Sequence, residues 1–157
     1  MTTTDLKHAN SELVAVGFLQ AILGQHGGMG SRMPSEDDGG KSWAKTGFVL
    51  LSVVGGSPNV YAAGLRRPVL DVQAKWIAPN SKQPPWFLAN DLAERIVAGC
   101  YGAYDSPVEA ILPAGFERAF VQTAYPLTEP RRIGGDASNI ATYQFDLQLN
   151  WVPGGVG

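Results

Sequence analysis

The stretch Gly39-Gly40-Lys41-Ser42 ends like a loop that cradles phosphate, in which glycine amides surround the anion and Lys and Ser complete the cage. Such a loop needs a glycine where Ser35 stands, a hydrophobic strand before it and a helix after it. Here Glu36-Asp37-Asp38 would set three negative charges against the ligand, so the stretch reads as a plain loop. His26-Gly27-Gly28 is like the oxyanion loop of some hydrolases, which also need a Gly-x-Ser-x-Gly elbow. The nearest run, Gly55-Gly56-Ser57-Pro58-Asn59, lacks the last glycine. His8 lies near the start of the chain and His26 just past a helix end, so neither faces a nucleophile as its base. Asp91 and Glu94 have the spacing to share a cation on one helix surface, but a solvated helix face carries the same pattern. Cys100, the single cysteine, falls on an apolar helix stripe and reads as core. One cysteine excludes an internal disulfide, and one Cys with two His is too few for a zinc cage. No catalytic residue, cofactor or metal ligand is expected, and the chain is read as a non-enzyme.

The elements that carry these groups follow from periodicity. Ser11 is placed to cap a helix over Glu12–Leu23, with Val14, Phe18, Ala21 and Ile22 on one face. Phe48–Val54 is a continuous apolar, β-branched run ended by Gly55-Gly56, as in a central strand. Pro68–Ala78 alternates, with Leu70, Val72, Ala74 and Trp76 opposite Asp71, Gln73 and Lys75. Pro84-Pro85 opens a second amphipathic helix over Trp86–Cys100, on which Ala89, Leu92, Ala93, Ile96 and Cys100 share a face. Phe116–Tyr125 and Ala141–Val152 read as strands. In the latter Tyr143, Phe145, Leu147, Leu149 and Trp151 alternate with Gln144, Asp146, Gln148 and Asn150.

The order α-β-β-α-β-β predicts an α+β fold: a two-layer, four-stranded, mainly antiparallel sheet with two helices on one face. A chain of 157 residues, 45% hydrophobic, 17% charged and with a formal charge of −2, fits one domain spanning residues 1–157 and argues against a nucleic-acid clamp. Apolar runs such as Gly47–Gly56 are too short to span a bilayer, and Met1–Asn10 has no signal-peptide core, so neither a membrane protein nor an exported one is expected. The 19 Gly and 11 Pro exceed ordinary usage of about 12% for the two together. They concentrate in long loops at 25–45, 56–65 and 126–140. Long glycine-rich excursions without a catalytic set suit an interaction or structural subunit.

Four runs in order carry a resemblance to a known family: Gly30-Ser31-Arg32-Met33-Pro34; an apolar strand ending Val53-Val54-Gly55-Gly56; Arg67 to Trp76, a strand ending in an aromatic; and Ala89-Asn90-Asp91-Leu92-Ala93-Glu94-Arg95-Ile96. Over roughly residues 10–153 this resembles the tail terminator proteins of long-tailed (siphovirus-type) bacteriophages. The resemblance implies a structural virion protein at the head-proximal end of the phage tail, assembled in the host cytoplasm. It implies a homohexameric ring that caps the tail tube, ends tube polymerisation, and offers the surface to which the head or its connector protein docks. DNA would pass through the lumen without specific binding, which a mildly acidic subunit permits because it does not hold a polyanion by counterion release. Glu129 and Asp136 are candidates to line that lumen.

A closing ring needs two different patches on each subunit, which loops or a sheet edge would supply. Arg32 and Trp43 in the first loop, and Arg66, Arg67, Arg131 and Arg132 at strand ends, are the candidate subunit or tail-tube contacts. Two other readings stand beside this one. A head-tail connector or head-completion adaptor would be more helical. A small ligand-binding α+β enzyme would use the glycine-rich loop as a lid but lacks an acid, base and nucleophile set.

Overall fold

A computed structural model describes residues 5–24, 28–34, 41–57, 64–103, 105–135 and 138–154. Helix α1 spans Ser11–Leu23, and its cap is Asn10 rather than Ser11: the Asn10 Oδ1 accepts from the Leu13 N–H at 2.8 Å. Ser11 is buried and accepts instead from Trp151 Nε1 at 3.0 Å, which ties the start of the helix to a strand near the other end of the chain. Helix α2 spans Trp86–Gly102 and buries Ala89, Leu92, Ala93, Ile96 and Cys100, the stripe that periodicity marks. Gly99 of α2 packs directly against Ile22 of α1. A Cβ there would sit 2.9 Å from Ile22 Cδ1, so any larger residue would push α1 and α2 apart.

Among the described residues seven strands form one sheet: β1 (Met29–Gly30), β2 (Phe48–Gly56), β3 (Pro68–Ile77), β4 (Val108–Glu109), β5 (Ala119–Pro126), β6 (Arg131–Ile133) and β7 (Ile140–Pro153). Their order is β1-β2-β3-β7-β5-β4, and β6 also pairs with β7. The fold is therefore α+β with two helices, but the sheet is mixed and not four-stranded. The four strands read from the sequence are β2, β3, β5 and β7, and all pairs are antiparallel except β1 with β2. The three added strands are two or three residues long. At that length there is no period to read, and the neighbouring edge places them. Two expected loops thus contain structure: 25–45 supplies β1 and a run of turns over 41–46, and 126–140 supplies β6. Residues 25–27 and 35–40, which include His26, Glu36-Asp37-Asp38 and Gly39-Gly40, residues 136–137, which include Asp136, and residues 58–63 lie outside the described residues.

Strand β7 organises the sheet. Its Ile140–Gln148 segment pairs with β3 on one side, while on the other β5 takes Leu147–Pro153 and β6 takes Thr142–Gln144. Strands β5 and β6 are one line along β7, interrupted where residues 127–130 stand against 145–146. The interruption is pinned by Leu127 N donating to Asp146 O at 2.7 Å and Asp146 N donating to Thr128 Oγ1 at 3.0 Å.

The register sorts side chains by face. Leu51 opposes Val72, which opposes Phe145, while Leu70 opposes Leu147. These residues join Val14, Phe18, Leu92 and Ile96 from the helices in one buried cluster, so both helices pack into the core that this face of the sheet lines. Each such fully buried side chain contributes roughly 1.5–3 kcal/mol. On the opposite side, at one end only, Trp43, Phe48 and Ile77 form a smaller buried group. The 41–46 turns tuck beneath the sheet there, held by Trp76 Nε1 donating to Ala44 O at 2.9 Å. Gly47 leaves the turns with φ 71°, and a Cβ on it would lie 2.5 Å from Trp76 Cε3, so only glycine fits.

Candidate interaction surfaces

The face of β3 and β7 turned away from the helices carries a connected set of polar side chains. Asp71 and Asp146 stand directly opposite each other, a like-charge pair that costs stability unless something intervenes. Gln144 intervenes: its Nε2 donates to Asp71 Oδ1 at 2.7 Å and to Asp146 Oδ1 at 3.0 Å. Gln73 Nε2 donates to the second Asp71 oxygen at 2.9 Å, and Arg131 Nε donates to Gln144 Oε1 at 3.0 Å. Further along, Lys75 Nζ donates to Thr142 Oγ1 and Asn150 Nδ2 to Thr123 Oγ1. Desolvation by burial lowers the Lys75 pKa, and the Asp71 carboxylate opposes part of that lowering. Thr142, Gln144 and Gln148 are buried although no helix covers them. Two carboxylates and two cations, Lys75 and Arg131, balance on this surface, so it offers hydrogen bonds without a strong field of either sign.

The arginines singled out from the sequence fall into separate places. Arg66 exchanges two backbone hydrogen bonds with Trp151, at 2.8 and 2.9 Å, and its guanidinium lies 5.3 Å from the centre of that indole ring. With Arg67, which is exposed, it borders a cleft of about 330 Å³ between the start of α1 and the end of β2, where Asn10, Glu12 and Gly56 also line the wall. Arg131 and Arg132 stand some seven residues away along β7, roughly 23 Å at strand spacing. Arg132 stacks 4.2 Å from the centre of the Trp86 ring, which meets Tyr143 edge-on at 6.1 Å. Arg32 is exposed just after β1.

Trp43, expected at a subunit or tail-tube contact, is only 5% exposed and packs edge-on against Phe48. Its ring serves the fold, because the 41–46 turns fold inward instead of reaching out. Among the described residues the aromatic most available to a neighbour is Phe87, at the start of α2 and 79% exposed. Nothing in the sequence reading singles it out, and the signal it carries is its place off the buried stripe of α2.

Among the described residues the groups with possible chemistry do not converge. Lys41 and Ser42 lie in turns that lead into β2, not into a helix whose N-terminus could receive a phosphate. Asp91 is paired with Arg95 one turn on, at 3.5 Å. Cys100 is buried, and desolvation pushes its thiol up to about 12. His8 Nδ1 sits 2.7 Å from Glu117 Oε2 on the surface. Among the described residues no three His, Cys, Asp or Glu side chains are grouped to hold a metal ion, and no helix is long and apolar enough to cross a membrane. Set against known proteins, the chain matches no family model and no curated sequence.

Proposed function

We propose that this chain is a tail terminator of a long-tailed bacteriophage: a structural, non-enzymatic subunit that assembles as a six-membered ring on the tail tube, stops its growth and presents the surface on which the head connector docks. The observation that carries the reading is the order of four motifs along the chain. Ser31-Arg32-Met33-Pro34 follows β1, Val53-Val54-Gly55-Gly56 ends β2, Arg67 to Trp76 runs through β3, and Ala89 to Ile96 forms the middle of α2. Two helices packed against a mixed, largely antiparallel sheet support the reading, since the resemblance implies a mixed or antiparallel sheet flanked by two helices.

The charge-balanced face of β3 and β7 supports the same reading. A surface on which Asp71 and Asp146 are matched by Lys75 and Arg131 neither holds nor strongly repels a passing polyanion, which suits DNA moving through a lumen. The exposure of Arg32 and Arg67 supports their assignment to a neighbour or the tube, whereas Arg66 and Arg132 are already stacked on indole rings.

The deciding experiment is electron microscopy of particles made without this gene product. The expected result is over-long tail polymers detached from filled heads. Infectious virions of normal tail length lacking the protein would overturn the proposal, as would substrate turnover abolished by a single side-chain change.

A further inference from the structure

We propose that copies of this chain join sheet to sheet, the outer edge of β6 in one copy pairing antiparallel with the outer edge of β2 in the next, with Arg132 opposite Val53. This rests on the ring reading above and names the surface that closes the ring.

The first observation is a bare edge. Strand β1 covers β2 only at Val49 and Leu50, and among the described residues no strand lies outside β2 from Leu51 onward. The run Leu51-Ser52-Val53-Val54-Gly55-Gly56 holds no charge and no proline, the devices with which free edges are ordinarily blunted. Val54 is 60% exposed, and a bulge between Val53 and Gly55 limits the straight part of the edge to Leu51–Val53.

The second observation is its counterpart. Strand β6 pairs inward with β7, and no described strand lies on its outer side. Neither of its two cations guards that edge, since Arg131 is bonded back to Gln144 and Arg132 lies over Trp86.

The third is direction and phase. Strands β2, β3, β7 and β6 are antiparallel in succession, so β6 runs opposite to β2. A second copy added by rotation, without inversion, therefore continues the alternation with an antiparallel pair. The Val49 N–H turns outward to Gly28 O, so Val53, four residues on, also turns its backbone outward. Asp146 receives the Leu127 N–H on the β6 side, so Gln144 and Thr142 face Arg131 and Ile133, and Arg132 is left with its backbone outward. Val53 opposes Leu70 and Arg132 opposes Tyr143, which places both side chains on the helix-covered face. Pairing Val53 with Arg132 keeps face and hydrogen-bond alternation unbroken across the junction. A foreign strand would satisfy one edge. A second copy of this chain brings both, already in matching directions, and such a heterologous contact is the kind that closes rings.

The test uses the full chain carrying Val53→Cys and Arg132→Cys together, treated with a short bis-maleimide cross-linker, with Glu94→Cys on the exposed side of α2 as background. Cys100 stays silent because it is buried. Links between positions 53 and 132 of different copies, forming a ladder that ends at a closed multimer, are expected. Val53→Pro should abolish the multimer while leaving the denaturation midpoint of the subunit unchanged, because the N–H it removes points away from β3. Cross-links no more frequent than background, links only of 53 to 53 or 132 to 132, or a multimer that survives in a folded Val53→Pro variant would each overturn the pairing. Should that variant fail to fold, the cross-link pattern decides alone. Tail length in particles lacking the protein is read separately: normal tails with positive 53–132 links would sink the terminator reading and leave the edge pairing standing.

Discussion

The two faces of β7 do opposite work with neighbouring residues. On one, Phe145 and Leu147 are buried under the helices. On the other, Gln144 and Asp146 are held in a polar network that no helix covers. The apolar side is driven by removal of surface from water, and the polar side must hydrogen-bond most of the donors and acceptors it partly buries, Asn150 Oδ1 being one buried acceptor left without a partner. Stability should therefore be concentrated on the helix side, with the open side kept wettable and rigid.

Substituting adjacent residues tests this asymmetry most directly. Phe145→Ala should cost about 3–5 kcal/mol through the cavity it leaves, read as a lower denaturation midpoint in urea. Gly99→Val, forcing α1 from α2, should cost about 1–3 kcal/mol in the same measurement. Gln144→Ala removes the amide between Asp71 and Asp146 and should cost about 1–2 kcal/mol. Equal losses for Phe145→Ala and Gln144→Ala would break the comparison.

A smaller effect sharpens it. The folded chain holds Lys75 at a lowered pKa, so on raising the pH the folded state releases that proton before the unfolded state does. Stability then rises with pH across the alkaline interval between the lowered value and the ordinary one, and Lys75→Met should flatten that rise in denaturation midpoints measured against pH. Smallest of all, Glu109→Gln should leave the midpoint unchanged. Its carboxylate is held below the usual range mainly by the hydrogen bond from Arg118, but the pair is exposed at the surface.

The polar face was legible in the sequence because strict alternation over Ala141–Val152 and Pro68–Ala78 assigns each residue to a side. What alternation cannot supply is register, and register alone sets Asp71 opposite Asp146 and makes Gln144 their mediator. Short strands were illegible for a related reason: Met29–Gly30 and Arg131–Ile133 exist because β2 and β7 offer edges, not because of any local pattern. Trp43 lies beside glycine-rich sequence and reads as exposed. Its burial depends on the Trp76–Ala44 hydrogen bond and the backbone of Gly47, both set by contacts distant in sequence. Asn10 and Ser11 are both good caps, and the choice between them is made by Trp151, which engages Ser11.

That last bond has a bearing on biosynthesis. The indole that grips the first helix belongs to the strand translated last among those described, and that same strand is the sheet's central partner for β3, β5 and β6. A ribosome-bound fragment ending before residue 140 would hold both helices and β2 without the strand that joins the rest. Folding of the sheet must then wait until β7 has emerged, leaving the uncharged Leu51–Gly56 segment unguarded in the interval, when chaperone capture of the nascent polypeptide would matter most.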